Sequence, residues 1–258
     1  RTGRPRAGLN TMLANGQAAL YGKGVFTTVA IRAKRPLFWE KHWRRLTGDA
    51  AKVGVDISAF GEALVRAELE RTLTSEGVAD GRARITFYDE RPGDIWPADA
   101  AENTSMSILA GRRRRLPAKF SLTTSPYRVN TYSPLAGVKS CNYLENLLAI
   151  EEARGRGFHE AIRINDRGEM TGGCMSNIFW LKNGRLYTPH LETACLPGTT
   201  REFVLDNLLC EETRQPIDTL VNAEAIFLSS AGLGVIEVND LDHRTFDPSG
   251  HPILRLVP

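Results

Sequence analysis

The sequence predicts an α+β fold in two domains, and three observations carry that prediction. Strand-like segments stand both before and after a pair of helical patterns within residues 1–114, the arrangement expected of sheet covered by helices. The arginine run Arg112 to Arg115, followed by Pro117, favours extended, exposed chain and marks a linker at residues 115–118. A second domain over residues 119–258 then repeats the mixture, with strand patterns around two helical ones. A chain of 258 residues is long enough to bury a substantial core in one large or two small domains.

Taken in order, Met12-Leu13-Ala14, the pair Asn15-Gly16 and the run 25–31 read as a hairpin feeding a long strand. Lys34-Arg35-Pro36 reads as a turn. Residues 40–53 and 59–74 carry apolar side chains at helical spacing, the second segment opened by Ser58 with Glu62 nearby. Strands are predicted at 82–88 and 105–109, separated by a loop over 91–101. In the second domain a strand at 120–124 precedes a helix that follows Lys139. Strands at 160–164 and 176–181 come next, with a turn at Asp166-Arg167-Gly168 between them. Asn183-Gly184 turns into a strand at 185–187, residues 200–209 form a helix, and 217–218, 225–229 and 235–238 are strands. No internal repeat or low-complexity segment is present.

Lysine and arginine total 33 against 30 acidic residues, too even a balance to point to nucleic acid, and the arginine run has no interleaved aromatic residues. Cys141, Cys174, Cys195 and Cys210 show neither Cys-x-x-Cys pairing nor a histidine at metal-ligand spacing, so free thiols in a reducing cytoplasm and no metal are expected. No apolar run approaches bilayer length, and residues 1–6 lack the apolar core of a secretory signal, so a soluble cytoplasmic protein is expected. The first residue is Arg1 rather than methionine, as expected of a sequence that begins inside its natural or cloned N-terminus.

Two stretches suggest chemistry. Lys139 precedes Leu144, Leu147, Leu148 and Glu151 at helical spacing, with Ser140 as a fair N-cap. The positive end of such a helix disfavours an ammonium, and the neutral amine that results can attack a carbonyl. Solvated lysines before helices are also common, so the local pattern leaves both readings open. Gly198-Thr199-Thr200-Arg201 opens a predicted helix, where free N–H groups and hydroxyls suit an anion and equally suit an ordinary capped start.

Lys139 with Asn142-Tyr143-Leu144 resembles the cofactor-lysine segment of class IV (fold type IV) pyridoxal-phosphate aminotransferases. Three further segments match in order: His42-Trp43-Arg44-Arg45-Leu46, then Gly168-Glu169-Met170-Thr171 leading to Ser176-Asn177-Ile178-Phe179, then Leu196-Pro197-Gly198-Thr199-Thr200-Arg201. The family includes branched-chain aminotransferases, D-amino-acid aminotransferases and 4-amino-4-deoxychorismate lyases. The resemblance implies a two-domain α+β enzyme holding pyridoxal 5'-phosphate in the crevice between domains, assembled as a homodimer. It implies Lys139 as Schiff-base lysine and proton carrier, and Arg45, Thr199, Thr200 and Ser230 as phosphate contacts. Tyr143 matches the tyrosine at the ring oxygen, and Ala231 stands where aminotransferases often have threonine. Arg82, Arg84 and Arg128 are candidate binders of a substrate carboxylate.

The implied activity is amino-group transfer between an amino acid and a 2-oxo acid. A lyase releasing pyruvate from an aminated cyclohexadiene is the alternative. Ser125-Pro126-Tyr127-Arg128, the spacing of Pro134 to Lys139, and Glu145 look like the lyases, which tend to carry arginine in place of Tyr143 and asparagine in place of Ser230. A third reading, a homologue that keeps the fold without the chemistry, draws on Ala231 and Gly172. At Gly172 relatives carry a glutamate that pairs with the pyridine nitrogen, and Met170-Thr171-Gly172-Gly173-Cys174-Met175 offers no carboxylate in register. Glu169 lies three residues off, on the opposite face by strand alternation. Thr171 and Cys174 are the candidate substitutes.

Overall fold

A computed structural model describes residues 13–92, 103–113 and 115–257. The chain divides into two compact units. The first takes in the described part of Arg1–Arg114 together with Val138–Tyr143; the second comprises Arg115–Gly137 and Leu144–Pro258. The lysine segment therefore belongs to the first unit, although a strand of the second precedes it in sequence.

The first unit contains α1 (Gln17–Tyr21), β1 (Gly24–Arg32), β2 (Arg35–Pro36), α2 (Trp39–Val53), α3 (Glu62–Ser75), β3 (Gly81–Asp89) and β4 (Thr104–Arg112). Its strands form an antiparallel sheet in the order β2-β1-β3-β4. Alternation puts Val25, Val29 and Ile31 of β1 and Ala83, Ile85 and Phe87 of β3 into one core with Leu46 and Ala50 of α2 and Val65, Leu69 and Leu73 of α3. Each large aliphatic or aromatic side chain buried there contributes about 1.5–3 kcal/mol.

Three local expectations are corrected here. Met12 lies outside the described residues, and among the described residues no hairpin precedes β1: residues 17–21 are good helix formers and make a short helix, stopped by Gly22 at φ 67°. Ser58 does not open α3; its amide and hydroxyl donate to the Asp56 carboxylate, and the helix starts after Gly61. Arg35 and Pro36 form a short strand paired with Ile31 and Arg32, turned by Ala33 and Lys34 with positive φ. The predicted loop lies mostly outside the described residues.

The second unit contains β5 (Ser121–Val129), α4 (Leu144–Gly155), β6 (Glu160–Asn165), β7 (Met170–Gly173), β8 (Asn177–Lys182), β9 (Arg185–Pro189), α5 (Thr199–Asn207), β10 (Cys210–Thr213), β11 (Ala225–Ser230), β12 (Gly234–Glu237), β13 (Asp240–Leu241) and β14 (Arg244–Thr245). These strands build two five-stranded sheets, β14-β13-β5-β6-β7 and β10-β9-β8-β11-β12. Leu122, Ile162 and Met170 of one sheet pack with Ile178, Trp180, Ile226 and Leu228 of the other. Residues 217–218 are not a strand: Pro216, with its fixed φ, leads into the 3₁₀ turn Ile217–Asn222. Among the described residues no helix is long and apolar enough to cross a membrane.

The helix after Lys139 begins only at Leu144. Leu144, Leu147 and Leu148, which suggested its apolar face, are 65%, 44% and 48% exposed, and α4 packs instead through Ala149, Ile150 and Ala153.

Candidate functional site

Lys139 is held as an edge strand of the first sheet. The Phe26 N–H donates to the Lys139 carbonyl at 3.0 Å, the Cys141 N–H donates to the Gly24 carbonyl at 2.8 Å, and Ser140 bridges Val25. Ser140 is buried in that bridge and caps no helix, so the expected helix dipole is absent at Lys139. The amine is tuned by other means. Burial, then the charges of Arg45 and Arg84, push it down to about 7, against an opposing pull from Asp49. Its Nζ donates to Tyr143 Oη at 3.3 Å and lies over the rings of Phe26 (4.5 Å) and Tyr143 (4.7 Å). Those two rings meet edge to face at 5.2 Å, fixing the walls around the amine.

His42 and Arg45 stand three residues apart on α2 and so share a face. Thr27 of β1 joins them: Arg45 Nη2 donates to Thr27 Oγ1 at 3.0 Å, and that oxygen lies 2.6 Å from His42 Nδ1. Burial first, then Arg45 and Lys139, holds His42 well below its ordinary pKa. The ring is therefore neutral, and a bare Nδ1 can accept the threonine proton while the threonine oxygen accepts from the arginine. The His-x-x-Arg spacing thus fixes Arg45 through a relay with one direction.

Arg84 stacks on Phe26, its guanidinium carbon 3.5 Å from the ring centroid, and its Nε donates to Thr86 Oγ1 at 3.2 Å. Arg84 and Lys139 are thus brought together around Phe26. Arg82 alternates with Arg84 on the same face of β3 and is partly exposed. Arg128 is exposed on β5, at a register shift against β6. Asp49 was not singled out by its sequence, although a carboxylate four residues after Arg45 shares the helix face that carries the motif.

In the second unit, α5 opens with Thr199, Thr200 and Arg201, all buried, after Gly198 with no side-chain cap. Asn177 secures the preceding loop, its Nδ2 donating to the Leu196 carbonyl at 2.8 Å. A Cβ at Gly198 would collide with Asn177 Oδ1, which is why glycine stands there. Across the β8–β11 ladder from Asn177 sits Ser229, whose buried Oγ has no partner among the described residues. Ser230 Oγ accepts the Leu233 N–H at 3.2 Å and keeps its own proton to donate. Arg201 donates to the Pro189 carbonyl at 2.8 Å and pairs with Glu212, a packing role.

Around Gly172 the carboxylate question has a structural answer. Glu169 accepts from Asn165 Nδ2 (2.8 Å), Arg214 Nε (2.8 Å) and Arg167 Nε (3.0 Å). Partial burial raises its pKa, yet these three donors together hold the carboxyl below its ordinary range. Thr171 Oγ1 donates to the Arg163 carbonyl at 3.3 Å. The Cys174 thiol, pushed up to about 12 by burial and then Glu160, points at the Ala161 carbonyl. Both candidate substitutes therefore spend their protons on β6.

Opposite Gly172 in the ladder stands Arg163, 2% exposed, which donates to Asn146 Oδ1 at 2.8 Å and lies 3.7 Å from the Glu145 carboxylate. Its Nε has no partner among the described residues. An arginine inside the otherwise apolar run Ala161-Ile162-Arg163-Ile164 was a legible signal that sequence reading passed over. No group of three or more His, Cys, Asp or Glu residues that could hold a metal occurs among the described residues.

The family model described as amino-transferase class IV matches residues 24–241. Aminodeoxychorismate lyase of Bacillus subtilis (strain 168) is 25% identical over 232 residues, covering 86% of this chain and 79% of its own. D-alanine aminotransferase of Bacillus licheniformis is 28% identical over 244 residues, covering 90% and 83%. The crystal structure of a branched-chain aminotransferase from Thermoproteus uzoniensis with norvaline superposes with a TM-score of 0.87 at 24% identity, covering 96% of this chain and 87% of that one. A putative 4-amino-4-deoxychorismate lyase from Legionella pneumophila superposes with a TM-score of 0.86 at 23% identity, covering 96% and 93%. These superpositions establish fold type IV.

Proposed function

We propose that this chain, which belongs to the class IV aminotransferase family and with it depends on pyridoxal phosphate, transfers an amino group between an amino acid and a 2-oxo acid with Lys139 as its reactive amine. The observation that carries this reading is the Lys139 amine itself, enclosed by Phe26 and Tyr143 and brought down to about 7 beside Arg45 and Arg84. Near neutral pH about half of such amines are unprotonated, so Lys139 is poised both to attack a carbonyl and to carry a proton.

The residues present fit the cofactor. Arg45 is a guanidinium held in one pose by Thr27, suited to a phosphate dianion. Thr199 and Thr200 open α5, whose N-terminal end suits an anion, and the orphaned Ser229 hydroxyl lies on the ladder beside that loop. We assign Arg45, Thr199, Thr200 and Ser230 to the phosphate, Tyr143 to the ring oxygen, and Arg84 and Arg128 to the substrate carboxylate. When bound, pyridoxal phosphate supplies the electron sink for the bond broken at the substrate α-carbon. The reading extends to a cytoplasmic protein and to a homodimer, for which the exposed Leu144, Leu147 and Leu148 of α4 offer an apolar surface.

The test is the absorption spectrum of the protein after incubation with pyridoxal phosphate and removal of unbound cofactor. A near-visible band that is lost in Lys139→Ala is the expected result; a protein that stays colourless overturns the reading. The similarity to the B. subtilis lyase supports a second reading, release of pyruvate from aminodeoxychorismate. An amino donor given alone separates the two: a transaminase releases one equivalent of 2-oxo acid per site without an acceptor, and a lyase does not.

A further inference from the structure

The cluster around Lys139 contains a buried carboxylate that the assignments above leave without a role. Asp49 lies four residues after Arg45 on α2, is 3% exposed, and accepts the Lys139 N–H on its Oδ2 at 3.1 Å. That bond closes a specific gap. Lys139 is an edge residue whose carbonyl is already taken by Phe26, so its own N–H would otherwise be left unsatisfied at the edge of the sheet. A neutral acceptor would meet that need as well, so the charge of an aspartate calls for its own explanation. Arg45 on α2, Arg84 on β3 and the lysine are all cations acting on one point, with Lys52 further along α2 and His42 kept neutral.

We propose that Asp49 is a positioning residue for Lys139, anchoring the lysine backbone through its amide and supplying the negative charge that balances Arg45 and Arg84 around the amine. This rests on the reading of Lys139 as the reactive lysine. The charges on both sides are consistent with it. Burial raises the Asp49 carboxyl, and the Lys139 amide, Arg45, Lys52 and Lys139 pull it back. Asp49 in turn is the group that raises the Lys139 amine against burial and the two arginines.

The test compares wild type with Asp49→Asn, which keeps an acceptor oxygen and loses the charge, and with Asp49→Glu, which keeps the charge. Asp49→Ser is a second uncharged acceptor in case the asparagine variant does not fold. Two midpoints are measured. One is the pH midpoint of Lys139 modification by formaldehyde and cyanoborohydride in cofactor-free protein, read by peptide mass. The other is the pH midpoint of the near-visible band after adding pyridoxal phosphate.

Loss of one opposite charge from this buried cluster lowers the amine's proton affinity by about threefold to tenfold, so both midpoints fall by about half to one pH unit in the uncharged variants and return toward wild type in Asp49→Glu. Unchanged labelling midpoints in a folded uncharged variant overturn the proposal. A wild type that forms no band overturns the cofactor reading instead, and the labelling midpoints still decide the role of Asp49.

Discussion

A buried lysine with a depressed pKa must cost the folded protein stability wherever it is charged, and that cost should appear when the lysine is replaced by methionine. Methionine keeps the linear shape between Phe26 and Tyr143 and removes the charge. The sign follows from proton counting. Between about 7, the folded value, and 10.5, the ordinary one, the unfolded chain binds the proton and the folded chain does not, so wild-type stability rises with pH across that window. Below the window both states are protonated and the full penalty is present; above it both are neutral and the penalty is gone.

The size is set by the same two values. At about 1.4 kcal/mol per pH unit, a fall from 10.5 to about 7 corresponds to roughly 5 kcal/mol, and to about 3 kcal/mol if the partly exposed side chain retains some water. Lys139→Met should therefore stabilise cofactor-free protein by about 3–5 kcal/mol at pH 6, with the gain shrinking steadily to a small constant by pH 10.5. Urea denaturation of both proteins at several pH values measures this difference. The lost hydrogen bond to Tyr143 adds an offset that does not vary across most of the range, so the slope is the decisive quantity. A difference that is flat from pH 6 to 10 would refute a lysine that folds uncharged near neutrality.

Two further outcomes separate recognition from packing. Arg45→Ala should weaken pyridoxal phosphate binding by about 10- to 100-fold, since a charge-assisted pair to a dianion contributes roughly 1.5–3 kcal/mol. Arg201→Ala, which removes a buried arginine bonded to Pro189 and Glu212, should instead lower the melting temperature and leave cofactor affinity within about twofold; fluorescence titration beside thermal melting distinguishes them. Gly172→Glu restores the carboxylate that relatives carry but should fail to help, because residue 172 sits at φ 156° and a Cβ there comes within 3.0 Å of the Ser176 carbonyl. Strain of about 1–3 kcal/mol should lower both the melting temperature and cofactor occupancy; full occupancy with a faster first half-reaction would show that the backbone accommodates the change.

The elements with their own local code were legible in the sequence. Strand-like runs at 25–31 and 82–88 marked β1 and β3, and apolar residues at helical spacing over 59–74 marked α3. In two of the failures a competing partner outbid a capping signal. Ser140 has the chemistry of an N-cap, yet its backbone bridges Val25, so α4 starts at Leu144. Ser58 has it too, yet Asp56 takes its donors. Leucines at helical spacing announced a helix correctly and its buried face wrongly, because the spacing does not say which side of α4 meets the sheet. For the candidate site, the motif residues Arg45, Lys139 and Tyr143 were legible as a pattern, whereas the roles of Thr27 and Asp49 become visible only when strands and helices are placed together.

The same comparison changes the physical account of the lysine. A helix dipole acts within one turn and contributes about 0.3–1 kcal/mol at an exposed terminus, which could lower an amine by less than one pH unit. The depression at Lys139 is several times larger, and it comes from burial joined to two guanidinium groups on other elements, Arg45 of α2 and Arg84 of β3. Control of the amine therefore lies some 55 to 94 positions upstream in sequence, on the sheet edge where Lys139 docks, and not in the helix that follows it. Substitutions along α4 should leave the amine's titration where it is, while neutral replacements of Arg45 or Arg84 should raise it, because each removes a like charge that disfavours the ammonium.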